Sequence, residues 1–223
     1  MASKYWVGGT GDWNQSSHWS NSSGGPGGAG IPSSTDDVLI DDFSSSTSSF
    51  TVSAGPPVFC NSLNVVTSAK TLTLGAQVSV YQDIYIIPTN AIIISPLTMV
   101  GSGGFGNVGS YSPLTALIIN KPGGNVDIQS ALVISNFLTL TAGSLSNVNG
   151  YSITSRYFTG SGSSSRDLYL DDGMNPADWI ITGGTTQAWD ISTSTNMTLN
   201  WVISGTRIIF TAGGSLQSGG LTY

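Results

Sequence analysis

Short apolar alternations recur along this chain of 223 residues, and no helical stripe accompanies them. A period of two places alternate side chains on one side of an extended strand, whereas an amphipathic helix needs a period of about 3.6 residues. Glycine, Asn, Ser or Asp separates one apolar triplet from the next. The triplets include Leu63–Val65, Leu72–Leu74, Val78–Val80, Ile84–Ile86, Ile92–Ile94, Leu97–Met99, Leu117–Ile119, Val126–Ile128, Leu138–Leu140, Leu168–Leu170, Met197–Leu199 and Ile208–Phe210. The pattern predicts an all-β chain of very short strands.

Scarcity of charge supports this prediction and excludes several classes of protein. Only 8% of the residues are charged, against roughly 25% in ordinary globular proteins, and all twelve acidic residues are Asp. A solvated helix face is built mainly from Glu, Lys, Arg, Gln and Ala, so a helical fold is excluded. Six scattered cations against a net charge of -6 argue against a nucleic-acid partner. A mean hydropathy of +0.13 argues against disorder.

Cysteine, histidine and membrane signals are equally sparse. Cys60 and His18 are the only residues of their types, so we expect no disulfide framework, no metal site, no cofactor and no His-based triad. We expect His18 to lie in a loop or cap and Cys60 to be a small buried apolar residue. No apolar run approaches the roughly 20 residues of a transmembrane helix, and no secretory signal is visible after Met1. The sequence therefore predicts no membrane insertion.

Self-similarity refines the fold prediction. The segments that start at Leu72, Leu138 and Ile208 share an apolar triplet, a small-residue turn and a second short strand in the same order. Their separation suits coils of about 22 or 23 residues, which is typical of a solenoid. We therefore predict a single-stranded β-helix, a β-solenoid with Leu, Ile and Val inside and Ser, Thr and Asn outside. A jelly roll or β-sandwich is the alternative.

The composition divides the chain in two. Residues 1–57 hold half of the Trp residues and a Gly/Ser/Pro-rich stretch, and we interpret them as an N-terminal cap or attachment region. Residues 58–223 carry the coil pattern. A solenoid end is an open sheet edge that needs a cover. We expect the N-terminal end to be closed by the cap and the C-terminal end to continue or to be covered by a partner.

Tryptophans are the first candidates for binding residues. Trp6, Trp13 and Trp19 could stack on sugar rings, or they could form the packed core of the cap. Trp179, Trp189 and Trp201 are spaced near half a coil apart, so they could line an exposed glycan groove or form a subunit contact. Core positions are the alternative for this second group.

Carboxylates are the candidates for catalysis, because glycoside hydrolysis needs two carboxyl groups about 5–10 Å apart. Asp167 and Asp171 should share one face of an extended strand about 13 Å apart, which is too wide. Asp172 and the following glycine indicate a turn. Adjacent Asp side chains in the pairs 36–37 and 41–42 should point to opposite faces. We predict no catalytic residue and no metal ligand.

Two segments resemble a known family. Trp6-Val7-Gly8-Gly9-Thr10-Gly11-Asp12-Trp13, followed by Trp19 and then by the stretch from Pro32 to Asp41, resembles the opening of β-helical virion proteins of tailed bacteriophages. There a W-x-G-G-x-G-x-W segment precedes P-x-x-x-D-D-V-x-x-D. Related coils also occur in bacterial surface adhesins.

The resemblance implies a non-enzymatic structural protein of the virion: a fibre, spike or capsid-decorating protein, commonly a homotrimer. Its implied partners are other capsid or tail proteins and host surface polysaccharide. Such proteins assemble in the host cytoplasm and work outside the cell, which agrees with the missing secretion signal. A bacterial adhesin fragment and a polysaccharide-degrading tailspike are the alternatives.

Overall fold

The computed structural model describes residues 1–87, 90–147, 149–160, 162–171, 174–184, 188–200 and 205–220. These residues form short strands and one 3-10 turn, Ser16–His18. The strands are β1 Ser3–Trp6, β2 Gly11–Asp12, β3 Trp19–Ser20, β4 Asp37–Ile40, β5 Ser49–Ser53, β6 Val58–Cys60, β7 Ser62–Val65, β8 Thr71–Leu74, β9 Val78–Val80, β10 Asp83–Ile86, β11 Ile92–Ile93, β12 Leu97–Met99, β13 Phe105–Ser110, β14 Leu117–Ile128, β15 Leu132–Ser146, β16 Ile153–Thr159, β17 Arg166–Tyr169, β18 Asp178–Ile181, β19 Trp189–Asp190, β20 Met197–Asn200, β21 Arg207–Phe210 and β22 Leu216–Gln217.

Parallel pairing joins each strand to its equivalent one coil later, and this gives the stack three faces. The first face contains β4, β7, β10, β13, the ends of β14 and β15, β17 and β20. The second contains β6, β9, β12, the start of β14, the middle of β15, the end of β16, β19 and β22. The third contains β5, β8, β11, the starts of β15 and β16, β18 and β21. The predicted β-solenoid is confirmed.

Coil length can be followed on the second face. Val58 pairs with Val78, Val78 with Leu97, and Leu97 with Leu117, so these coils repeat every 19 or 20 residues. The last coils are longer: Leu168 pairs with Leu199, 31 residues later. Their interior holds large rings, with Phe158 and Trp189 stacked at 4.3 Å between centroids. Aromatic side chains therefore form much of the core in these longer coils.

Burial follows the alternation that the triplets predict. In β15, Leu138 and Leu140 are fully buried, while Thr139 between them is only partly buried. Equivalent inward side chains from every coil belong to one continuous hydrophobic cluster. The interior is thus one core that runs the length of the stack.

The coils begin earlier than the boundary predicted at residue 57. β4 pairs with β7 and β5 pairs with β8, so residues 37–57 already belong to the first coil. The cap precedes them: β1 runs parallel to β4 and antiparallel to β3. Its hydrogen bonds to β4 close that edge of the first face.

Close approach of neighbouring coils selects glycine at one corner. Gly143 lies between the second and first faces with φ +83°. A Cβ atom there would come within 2.1 Å of the Lys121 carbonyl oxygen. Only glycine combines this backbone conformation with this contact.

We predict that Leu138→Ala lowers the free energy of unfolding by about 2–5 kcal/mol, because it removes buried atoms from the middle of the core. Thr139→Ala, the neighbouring outward position, should cost less than about 1 kcal/mol. Urea unfolding followed by circular dichroism measures both variants. Equal costs would contradict the inward and outward assignment.

Candidate functional site

The three N-terminal indoles form the packed core of the cap. Trp6, Trp13 and Trp19 have no exposed surface. Trp19 makes edge-to-face contacts with the other two, at 5.0 Å from Trp6 and 4.8 Å from Trp13. Trp19 Nε1 donates to the Trp13 carbonyl oxygen at 2.6 Å, and Trp6 Nε1 donates to the Gly9 carbonyl oxygen at 2.7 Å. No indole face is left for a sugar ring.

His18 covers one side of this aromatic core. Its ring stacks on Trp6 with centroids 4.7 Å apart and an interplanar angle of 6°. Its Nδ1 is 2.8 Å from the Val7 carbonyl oxygen. Gly11 lies so close to the imidazole that a Cβ atom would come within 2.1 Å of Nε2. The imidazole is therefore part of the cap's packing.

The predicted geometry of Asp167 and Asp171 is wrong. Asp167 points outward from β17 and accepts a hydrogen bond from Ser144 Oγ at 3.1 Å. Asp171 is buried, and its Oδ2 accepts from Thr206 Oγ1 at 2.8 Å. Strand alternation stops at the bend after Tyr169, so the two carboxylates do not share a face. Asp172 lies outside the described residues.

The four acidic residues around β4 organise turns and neighbouring coils. Burial alone would raise the pKa of Asp36, but hydrogen bonds from Ser33 and from the Ala2 backbone N–H bring it below the usual value.

The Ser68 hydroxyl and the backbone N–H groups of Ser68 and Ala69 lower the pKa of Asp42. Asp37 accepts from Asn61 at 2.8 Å, and Asp41 accepts from Ser23 at 2.6 Å.

Metal-ligating residues do not cluster within the described ranges: no group of three His, Cys, Asp or Glu side chains could hold an ion. Cys60 is fully buried, and burial raises the pKa of its thiol far above the usual value. It packs as part of the core.

Trp179 and Trp189 do not line an exposed groove. Both are buried in the coil interior, where each ring meets Phe158. Their own ring centroids are 5.9 Å apart in an edge-to-face arrangement. The hypothesis of a surface platform is corrected for these two residues, because β18 and β19 point them inward. Trp201 lies outside the described residues.

Two buried cations were missed by the sequence analysis. Lys121 is 2% exposed, and its Nζ donates to the carbonyl oxygens of Tyr81, at 2.6 Å, and Val100, at 3.3 Å. Burial lowers the pKa of Lys121, although the charge of Asp83 opposes this. Because all three residues lie at one corner in successive coils, the ammonium group joins three coils. No spacing in the sequence marks Lys121 as buried.

Arg166 plays the same part in the longer coils. It has no exposed surface, and its guanidinium donates to the carbonyl oxygens of Ser164, Thr193 and Thr195 at 2.6–3.1 Å. Its Nη1 has no partner within the described chain, and burial lowers the pKa of the side chain. The cation holds the loop before β20 against the corner before β17.

Polar ladders occupy the first face. Asn107 Nδ2 donates to Asp83 at 2.8 Å, and Gln129 Nε2 donates to Asn107 at 2.9 Å, so one hydrogen-bonded row crosses three coils. On the third face of the last coils, Arg207 forms a bidentate ion pair with Asp178, with Nη2 2.7 Å from Oδ2. These side-chain contacts between neighbouring strands add to the backbone hydrogen bonds that hold the coils together.

A different surface occupies the third face in the middle coils. Here a shallow groove of about 370 Å³ is lined by Ile92, Ile94, Pro113, Thr115 and Ser135, with Asn90 at one end. Ile92 and Ile94 are 49% and 56% exposed. No lining residue carries a charge. This groove departs from the polar exterior that the sequence predicts.

Comparison with known proteins gives no significant match to a family model, a curated protein or a solved structure. Within the described residues, no helix has the length and apolar character needed to cross a membrane. None of these comparisons links the chain to phage virion proteins; that resemblance rests on the sequence motifs alone.

We predict unequal effects for two conservative changes in the cap. Trp19→Phe removes the donor to the buried Trp13 carbonyl, and an unsatisfied buried polar group costs about 1–3 kcal/mol. Trp13→Phe removes an Nε1–H that has no partner within the described residues, so it should be less destabilising by about that amount. Hydrogen exchange of the β1 amides measures the stability of the cap. Equal exchange rates in both variants would contradict the assigned bonds.

We predict that Lys121 makes stability depend on alkaline pH. Between its lowered folded pKa and the ordinary value of 10.5, the unfolded chain binds more protons than the folded one. Stability of the wild type should therefore rise with pH in this window relative to Lys121→Met. Urea unfolding from neutral pH to about pH 10.5 measures the difference. Lys70→Met, at a partly exposed Lys, is the control; parallel profiles for wild type and Lys121→Met would contradict the prediction.

Proposed function

We propose that this chain is a non-enzymatic structural protein of a tailed-phage virion, a β-helical fibre, spike or capsid-decorating protein. The observation that carries the proposal is the continuous parallel stack with a packed aromatic cap at its N-terminal end. Such a stack is a rod whose core and backbone ladder extend from coil to coil. A rod of this kind is suited to holding a distance or presenting a surface.

Two features of the described residues support a structural role over a catalytic one. The carboxylates considered for glycoside hydrolysis differ in environment, because Asp167 points outward and Asp171 is buried. Most other acidic side chains accept hydrogen bonds that order turns or adjacent coils, such as Asp42 with Ser68 and Asp83 with Asn107. Their chemistry is used in holding the coils together.

The cap motifs support the phage setting. Gly8 and Gly9 of the W-x-G-G-x-G-x-W segment have positive φ in the turn between Trp6 and Trp13, whose indoles belong to one core, and Asp36 and Asp37 lead into the first coil. We propose assembly in the host cytoplasm as a homotrimer, with other capsid or tail proteins as partners and action outside the cell. Host surface polysaccharide is a further proposed partner.

Mass spectrometry of purified phage particles from the source of the coding sequence tests the proposal. We expect peptides of this chain in particles that have been washed free of lysate proteins. Their absence from intact particles would overturn the virion role. Incubation of the purified chain with host capsule or lipopolysaccharide tests the tailspike alternative. Release of oligosaccharides that is lost in Asp167→Asn would replace the non-enzymatic role with that alternative.

A further inference from the structure

Exposed apolar side chains form a stripe along the middle coils, which we call the apolar stripe. Ile93, Leu114 and Ile134 are bridged in successive coils, so the residues before them hold one outward position on the third face. A second row of exposed side chains lies at the corner between the first and third faces, directly after the strands of the first face. The apolar stripe consists of Ile92, Ile94, Pro113 and Val133 on the face and Val66, Ile87 and Tyr111 at the corner.

This stripe differs from the mostly polar outward positions of the other faces, where the exposed Phe59 and Phe105 pair with Ser79 and Asn125. Outward positions on the second face include Ser79, Thr98 and Thr139, and those on the first include Asp83 and Asn107. All seven side chains of the apolar stripe are more than a third exposed, and Tyr111 reaches 64%. The largest apolar patch of a typical monomer is about 300–600 Å² and is often an interaction site.

We propose that the apolar stripe is the surface through which copies of this chain pack side by side. Each copy carries a net charge of -6, so association is favoured where no charged group faces the partner. The apolar stripe and the groove lining contain no charged residue, whereas Asp83, Asp127 and Asp167 project from the first face. The middle coils of the third face are thus the surface on which two acidic chains can approach closely.

Geometry also favours a second copy. The apolar stripe follows the stacking direction, so rods related by a symmetry axis along that direction meet with equivalent coils at the same height. The coils that carry the apolar stripe in one copy then lie opposite the same coils of the other copy, with no shift along the stacking direction. A stable interface buries about 800 Å² on each partner, so the second copy must cover both rows of the stripe and its polar Asn90, Thr115 and Ser135 border. This inference names the contact surface of the proposed homo-oligomer and rests on the proposed function for its biological setting.

Light scattering of the full chain tests the inference. We expect the wild type to have a mass that is a multiple of 23.0 kDa. The triple variant Ile92→Thr, Ile94→Thr and Val133→Thr places on the stripe the residue type that Thr73 and Thr154 supply at paired positions. It should weaken the dissociation constant at least about a hundred-fold and shift the mass to that of one chain.

Phe59→Ser is the matched control, because Phe59 is exposed on the second face and pairs with Ser79. It should keep the wild-type mass. Circular dichroism must show unchanged β signal in both variants. A monomeric wild type, or a folded triple variant that keeps the oligomer mass, would overturn the inference.

Cross-linking keeps the test decisive if the triple variant fails to fold. Ile94→Cys should give dimers with a bismaleimide, and Phe59→Cys should not, while the buried Cys60 stays unreactive. Equal cross-linking at both positions would overturn the surface assignment. The virion role is tested separately by particle composition: an oligomer that is absent from particles refutes the function alone, and a monomer found in particles refutes this surface alone.

Discussion

Parallel backbone pairing between successive coils is the constraint on which the rest of this structure depends. Neighbouring strands lie about 4.8 Å apart, so each side chain meets its equivalent one coil away. Each inward side chain must then pack against a similar side chain in the next coil. Val58, Val78 and Leu97 stack in this way on the second face. Outward positions form rows for the same reason. Hydrogen-bonded amides, hydroxyls and apolar stripes all result from this one repeat.

The first coil of a stack has no preceding coil to pair with its strands or to cover its core. The cap covers this end with a paired strand and an aromatic core. β1 supplies a strand that pairs with β4, while Trp6, Trp13 and Trp19 make a small core from a segment that is otherwise rich in Gly and Ser. Because large rings bury much apolar area per residue, three of them suffice where many aliphatic residues would be needed. Motif and cap are therefore the same feature.

Buried cations show how a chain with few charges uses them. Lys121 and Arg166 donate to carbonyl oxygens at corners, where loops leave backbone acceptors without a strand partner. A long side chain with several donors can reach carbonyl oxygens in more than one neighbouring coil, as Lys121 does with Tyr81 and Val100. The cost of burying the charge is offset by satisfying acceptors that would otherwise be buried alone. These contacts stabilise the corners of the stack.

The sequence by itself determined the fold class, because inward and outward positions alternate locally and the period of two is visible in triplets such as Leu138–Leu140. It also marked the cap through Trp6, Trp13 and Trp19. Only the tertiary structure decided which outward residues lie side by side, since Ile92, Pro113 and Val133 are about 20 residues apart and meet through coil register. It likewise decided that Trp179 and Trp189 point inward and that Asp167 and Asp171 diverge. Strand phase and corner bends set these directions, and both depend on pairing with distant coils.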